Sequence, residues 1–298
     1  MKILVTGSSG RIGRAIWVRL APGHEVVGLD RSVSSTVQFV GDIADPKLLK
    51  DALQGVDAVV HTAALHAPHV GLAPDAEFGR INVAATRQLA GMAADAGIRH
   101  FVFTSTTALY GNAATPDNLA GWVDEDLEPR PRTIYHATKV QAEDLLADMA
   151  NQTGMAVTAI RMSRCFPEPA PTMAAYRLHR GVDARDVADA HALALDRPQP
   201  GFRKFVISGA TPFREEDTKA LFDDAPSLIG ERTPGLAEAF KQRGWPLPAS
   251  IDRIYSPAKA MRELGWKPRF GFAEVLKMLD EQSSEVLPPG SLPVSPSD

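Results

Sequence analysis

The stretch Thr6-Gly-Ser-Ser-Gly-Arg-Ile-Gly13 constrains this chain more than any other, because it joins an apolar strand to an amphipathic helix. Lys2 to Thr6 reads as a buried strand, Arg11 to Leu20 as a helix, and Glu25 to Asp30 as a second strand. The alternation goes on with a strand at Val37–Val40, a helix from about Pro46 to Leu53, a strand at Val56–Val60, a helix from about Asp75 to Ala96, and a strand at Arg99–Thr104. Strands that alternate with helices predict an α/β fold, with a parallel sheet covered on both faces.

Beyond a loop rich in Gly, Pro and Asp (residues 111–132), a long helix carries Tyr135, Lys139, Leu145, Leu146 and Met149 and leads to a strand at Met155–Arg161. The run Cys165-Phe-Pro-Glu-Pro-Ala-Pro171 excludes regular structure, since three prolines each remove a donor and fix a dihedral. The chain leaves the sheet there and returns with a helix at about Ala184–Leu195 and a strand at Lys204–Ser208. The expected architecture is a Rossmann-type, doubly wound parallel sheet over residues 1–164, rejoined by about 183–208. A small C-terminal substrate lobe comes from about 165–182 and 209–282, and a disordered tail rich in Ser, Pro and Gly covers 283–298.

A chain of 298 residues with 44% hydrophobic content can fill a sizeable core. Its formal charge of -4, with acids and bases intermixed, gives no surface for nucleic acid. The single Cys165 makes neither an internal disulfide nor a multi-thiolate metal site, and no metal is expected. No apolar run reaches the roughly 20 residues of a membrane helix, and Met-Lys-Ile-Leu-Val-Thr-Gly opens as a strand rather than a leader, so a cytoplasmic location and no membrane partner are expected.

Glycines at a strand-to-helix turn let backbone approach a pyrophosphate, while the helix N-terminus offers free N–H groups; Gly7, Ser9, Gly10, Arg11, Ile12 and Gly13 are the candidates. Asp30, at the end of the second strand, suits a ribose and favours NAD over NADP, and its neighbour Arg31 softens that preference. Asp42 with Ile43 reads as an adenine contact, or Asp42 alone as a helix-capping or turn residue. In His61-Thr-Ala-Ala64, the small Thr62, Ala63 and Ala64 leave room for a cofactor across the strand ends; His61 is given no chemistry, and His66 and His69 lack further metal ligands. After the fifth strand the hydroxyls of Thr104, Ser105, Thr106 and Thr107 stand where open parallel sheets bind ligands, or else satisfy a turn.

Tyr135 and Lys139, four apart on one helix, share a face. An ammonium beside a phenol favours the phenolate, which makes Tyr135 a candidate general acid or base. By itself that pair is also a common accident of a solvated helix.

Together, in this order, the glycine turn, Asp30, His61-Thr-Ala-Ala64, the hydroxyl cluster and Tyr135-x-x-x-Lys139 resemble the extended short-chain dehydrogenase/reductases, the NAD-dependent epimerase/dehydratase family. Ala184-Arg-Asp-Val-Ala-Asp-Ala190, Phe205-Val-Ile-Ser-Gly209 and Ser256-Pro-Ala-Lys-Ala-Met-Arg-Glu-Leu-Gly-Trp-Lys-Pro268 extend the resemblance to nearly the whole chain before the tail. It implies an NAD(P)-dependent oxidoreductase with Tyr135, Lys139 and Thr106 as catalytic residues. Thr106 enters because it stands four residues before the Tyr of Tyr110-Gly111. The resemblance also implies Thr104, Tyr135 and Lys139 at the cofactor and a homodimer formed through the tyrosine helix and its neighbour.

Two departures bear on the substrate. Thr107-Ala108 replaces the Asp-Glu of dehydratases, and Arg161-Met-Ser-Arg-Cys-Phe-Pro-Glu168 puts Arg164 where sugar-nucleotide epimerases carry Asn. Cys165-Phe-Pro-Glu-Pro169 with Tyr176-Arg177 is similar to the uronate dehydrogenases, which implies a sugar or sugar-acid-like substrate. Thr106, Thr107, Arg164, Arg177 and Arg180 are the candidates to hold it, each arginine being as readily a surface residue. The alternatives are a nucleotide-sugar 4-epimerase that keeps its NAD and a non-catalytic NAD-binding sensor.

Overall fold

Ile3, Val5, Val26, Val27, Val59 and Val60 are β-branched and have no polar face to give to water. In the computed structural model, which describes residues 1–292, they are buried at the centre of a seven-stranded parallel sheet. Its strands are β1 (Lys2–Thr6), β2 (Glu25–Asp30), β3 (Phe39–Val40), β4 (Ala58–His61), β5 (His100–Thr106), β7 (Ala156–Met162) and β8 (Gly201–Ile207), in the order β3-β2-β1-β4-β5-β7-β8. The chain reverses its direction of winding between β1 and β4, and a crevice opens there at the carboxyl ends of the strands. A separate parallel pair, β6 (Gly121–Val123) with β9 (Arg253–Tyr255), lies outside the main sheet.

Helices cover both faces. On one side α1 (Arg11–Leu20) and α7 (Ala184–Asp196) share a core with Ile3, Val5, Val187 and Trp266, whose indole N–H donates to the Asp186 carbonyl at 2.8 Å. On the other lie α2 (Pro46–Ala52), α4 (Ala85–Asp95) and α5 (Ile134–Thr153), which bury Leu49, Leu89, Ala93, Ala142 and Leu146 against Val59, Phe101 and Val157. The C-terminal lobe has a third core, built from α6 (Ala170–Tyr176), α8 (Thr218–Arg232), α9 (Pro234–Gln242), α11 (Phe272–Asp280) and the residues around β9, with α10 (Ala258–Glu263) packed back on the sheet.

Three local readings change. The helix expected from Asp75 to Ala96 is α3 (Asp75–Phe78), a π-helical turn at Gly79–Ala84, and then α4. The wide turn carries the buried Asn82, whose amide exchanges bonds with both Leu65 N (2.8 Å) and Leu65 O (2.9 Å) and reaches Thr138 on α5 at 3.1 Å. Pro171, grouped with the structure-breaking prolines, sits in the first turn of α6, where its missing N–H costs nothing. Residues 283–287, assigned to a disordered tail, form a strap. Leu287 N donates to Glu168 O at 3.0 Å, its own carbonyl accepts from Ala170 N at 3.1 Å, and Val286 is buried in the lobe core. Burying one valine contributes about 1.5–3 kcal/mol, enough to hold a polar run that composition alone would leave loose. The final residues of that expected tail, 293–298, lie outside the described residues.

Candidate active site

The crevice at the β1/β4 reversal is a cleft of about 500 Å³ that runs from the β1–α1 turn to β9. Its first wall is backbone. Gly7 has φ +70°, and a Cβ there would stand 2.6 Å from Thr62 Oγ1; a Cβ on Gly13 would stand 2.0 Å from the Gly7 carbonyl oxygen. The turn therefore folds flush against α1 only with glycine at both places. Gly10 is the N-cap of α1 and offers no side-chain cap, which leaves first-turn amides to an anion lying in the turn. Asp30 is pinned at the tip of β2 by Ser9 N (3.1 Å) and Ser32 N (2.9 Å), its carboxylate on the cleft wall. An uncapped helix end, a cradle that excludes side chains and a fixed carboxylate fit a dinucleotide.

Asp42 accepts from Ala44 N at 2.9 Å and pairs with Arg80 at 2.8 Å, and that arginine holds its carboxyl below the usual range. Of the two readings open in the sequence, its side chain takes the turn-forming one, while the residue still lines the cleft. Ser9, Arg11, Ile12, Arg31, Ile43, Thr62, Ala63 and Ala64 line it too.

His61, at the end of β4, is wholly buried. Burial drives its pKa down to about 3, so the ring is neutral. Thr86 gives its hydroxyl proton to Asn82 O (2.8 Å), so its oxygen accepts from His61 Nε2 (2.9 Å); His61 Nδ1 in turn accepts from Thr6 (2.7 Å). The Thr6 oxygen is left to receive Thr62 N and Ala63 N, which fixes the small-residue stretch over the strand ends. Both ring nitrogens of the histidine are thus bound to threonine hydroxyls of the protein. His66 stacks on Phe166 at 5.8 Å, and no group of three metal-ligating side chains occurs among the described residues.

On the second wall, Thr133 caps α5 by accepting from His136 N, and the first two turns of the helix bring Tyr135 and Lys139 to the cleft beside Thr106 at the end of β5. Lys139 is almost fully buried: its ammonium donates to the Thr104 carbonyl at 2.7 Å and lies 3.9 Å from the centre of the Phe103 ring. Desolvation brings its pKa down to about 7. Thr106 Oγ1 accepts from Ala108 N at 3.1 Å and keeps its own proton to donate. Thr104 gives its hydroxyl proton to His191, a neutral ring whose pKa burial lowers to about 4 and whose Nδ1–H is spent on Val187 O. Thr104 thus reaches the site through the carbonyl that anchors Lys139.

Beneath this wall lies a buried network. Arg161 donates to Glu143 through Nε (3.1 Å) and Nη2 (2.6 Å) and to the Tyr110 hydroxyl through Nη1 (2.8 Å); Ser105 donates to the same carboxylate, and Tyr110 donates to Asp124 O at 2.6 Å. It clamps α5 onto β5 and β7 through Glu143, one turn beyond Lys139 and two beyond Tyr135, and so sets the positions of both. Breaking one partner of such a buried pair costs about 3–5 kcal/mol.

The far end of the cleft is charged. Arg164 pairs with Glu168. Arg180 stacks 4.4 Å from the centre of the Tyr176 ring and stands 3.5 Å from Asp252, while Arg253, 7% exposed, bonds the same Asp252 at 2.8 Å. Arg253 and Tyr255 escaped the sequence reading, because a three-residue strand carries no signal that it will pair with β6 beside the cleft. Thr107 lines the cleft but is itself buried. Arg177 is a correction: it is 3% exposed, pairs with Asp183 at 3.2 Å, and faces a different, smaller cavity beside Phe270 and Phe272. The helix α6, which the prolines masked, turns it away from Arg164 and Arg180.

Residues 3–174 match the family described as the NAD dependent epimerase/dehydratase family. A 3 beta-hydroxysteroid dehydrogenase/Delta 5-->4-isomerase of Mycobacterium tuberculosis is 28% identical over 92% of this chain and 88% of its own length. A UDP-glucose 4-epimerase of Corynebacterium glutamicum is 26% identical over 90% of this chain and 91% of its own. In three dimensions, a short-chain dehydrogenase/reductase superfamily protein from Agrobacterium tumefaciens, solved with bound NAD, shares the fold at a TM-score of 0.70 and 23% identity, covering 93% of this chain and 95% of that one.

Proposed function

Since the chain belongs to the NAD-dependent epimerase/dehydratase family, we propose that it is an NAD-dependent oxidoreductase acting at a C–OH of a polar, sugar or sugar-acid-like substrate, with Tyr135 as the general acid/base. The observation that carries this reading is the meeting, in one cleft, of the glycine cradle with Tyr135, Lys139 and Thr106. Gly7, Gly10, Gly13 and the first turn of α1 would hold the cofactor's diphosphate, and Asp30 its adenosine ribose, which favours NAD over a 2′-phosphorylated cofactor. NAD, when bound, supplies a hydride acceptor. The side chains handle the proton: Tyr135 takes it from the substrate hydroxyl as the neighbouring C–H bond breaks, Thr106 donates a hydrogen bond that orients the reacting oxygen, and Lys139, when charged, favours the phenolate.

Arg180 and Arg253 support a polar substrate. Two guanidiniums on the far wall of the cleft, beside Asp252, suit polar acceptor groups better than the fused apolar rings of a steroid. Epimerisation is the second reading, favoured by the similarity to the Corynebacterium enzyme over nearly the whole chain; it differs in requiring NAD that survives purification. A sensor without catalysis would not need the buried Lys139. Self-association through α4 and α5 is part of the proposal, and with no exposed large hydrophobic side chain on either helix the contact would consist of small and polar residues. Among the described residues no helix is long and apolar enough to cross a membrane.

The test is to identify any retained cofactor by mass spectrometry and then to screen uronic acids, aldoses and nucleotide sugars for nicotinamide reduction or epimer formation. On the substrate found, Tyr135→Phe should lower turnover by about 10²–10⁴-fold while cofactor binding stays within twofold. Near-normal turnover of that variant would exclude the assignment.

A further inference from the structure

We propose that Glu285 withholds Arg11 from the cofactor's diphosphate, so that the C-terminal strap sets how tightly the cofactor is held; this rests on the cofactor reading above. Arg11 is the first residue of α1, directly after the uncapped Gly10, and lines the cleft at the edge of the glycine cradle. Its side chain is 24% exposed, Nη2 forms an ion pair with Glu285, and Nε is buried with no hydrogen-bond partner. A guanidinium at that place is a natural partner for a diphosphate. Here an acid from the other end of the chain occupies it.

Glu285 does not reach Arg11 by chance contact of a loose tail. Val286 is anchored in the lobe core and Leu287 pairs through both backbone groups with the segment Glu168–Ala170, which fixes the chain directly after the acid; before it, Ser283 N donates to Met278 O at 2.8 Å. An arriving diphosphate would compete with the Glu285 carboxylate for one guanidinium and also meet its negative charge, and both effects weaken binding. The same strap is tied to Glu168, the ion-pair partner of Arg164 at the substrate end. A dehydrogenase must release its reduced cofactor in each cycle, whereas an epimerase keeps it. An acid that loosens the grip on the diphosphate suits the first.

The experiment compares wild type with Glu285→Gln in separate calorimetric titrations with ADP and with adenosine. Glu285 is exposed, so the variant should fold with an unchanged melting temperature. It should bind ADP about threefold to fivefold more tightly, the range of one exposed ion pair, and adenosine equally. In an Arg11→Met background the gain should fall to the smaller part that comes from the carboxylate's repulsion of the diphosphate; an undiminished gain overturns the inference. Equal or weaker ADP binding by Glu285→Gln overturns the inference, as does an equal gain for adenosine. Wild type that binds neither ADP nor NADH would overturn the cofactor reading and this inference with it; binding by wild type with no shift in the variant overturns this inference alone.

Discussion

At the end of the cleft proposed for the nucleotide the walls are backbone and small side chains, Gly7, Gly10, Gly13, Ala63 and Ala64, whereas at the end proposed for the substrate they are long cationic side chains, Arg164, Arg180 and Arg253, matched to Glu168 and Asp252. The first kind of wall works by what it leaves out: amides and a helix end become reachable because no side chain covers them. The second works by what it puts in, and each charge needs a counter-charge to be tolerated near the lobe core. A backbone site therefore admits one kind of ligand across many relatives, while a side-chain site can be rewritten by a few substitutions.

That contrast can be broken most severely at Gly13. Gly13→Ala forces a methyl against the Gly7 carbonyl, and the cost of such overpacking, about 1–3 kcal/mol, should appear as a lower melting temperature together with a loss of NADH binding on the order of 100-fold. A variant that still binds NADH normally would mean that the turn is not the cradle. At the other end, Arg180→Met combined with Arg253→Met should raise KM for the identified substrate about 10- to 100-fold and leave NADH affinity alone, because removal of charged hydrogen-bonding partners costs about 1.5–3 kcal/mol. If KM stays and NADH binding falls, the two ends are not independent.

A smaller effect lies between them, at Lys139. In the ligand-free chain its pKa of about 7 is below that of an unfolded lysine, so between pH 7 and about 10 the unfolded state binds more protons and stability rises with pH. Lys139→Met should melt higher than wild type at pH 6, and the gap should close as the pH approaches 10. A constant gap would exclude a titrating, buried ammonium. The smallest effect on catalysis is expected at Arg177: Arg177→Met should lower the melting temperature by breaking the pair with Asp183, with KM unchanged within about twofold. A large rise in KM would return it to the substrate site.

The legibility of the sequence follows the same division. Gly7, Gly13 and Asp30 could be read directly, because a strand-turn-helix that must pass close to a ligand admits few residues and keeps them adjacent in the chain. Tyr135 and Lys139 were legible through their helical spacing, but the buried Glu143–Arg161 clamp that places them was not, since it joins β7 to α5 only after the sheet has formed. The arginines were half legible. Arg164 and Arg180 line the main cleft, Arg177 was turned away from it by a helix that the prolines masked, and Arg253 depended on a pairing between strands over a hundred residues apart. Side-chain sites assembled over such distances leave no local pattern.

The β6–β9 pair also dictates an order of events during synthesis. Every strand of the main sheet and the helix α7 that covers α1 have been made once β8 ends at Ile207, but Arg253 follows about 46 residues later. At the usual 5–20 residues per second, a nascent chain would spend roughly 2–9 s able to pair its sheet while the far wall of the cleft does not yet exist. During that interval the apolar surfaces that β9 and the lobe will cover, including Val123 and the Tyr110 ring, are exposed to the cell. The last quarter of the chain thus covers, by its arrival rather than by its chemistry, apolar surface that the first three quarters leave open.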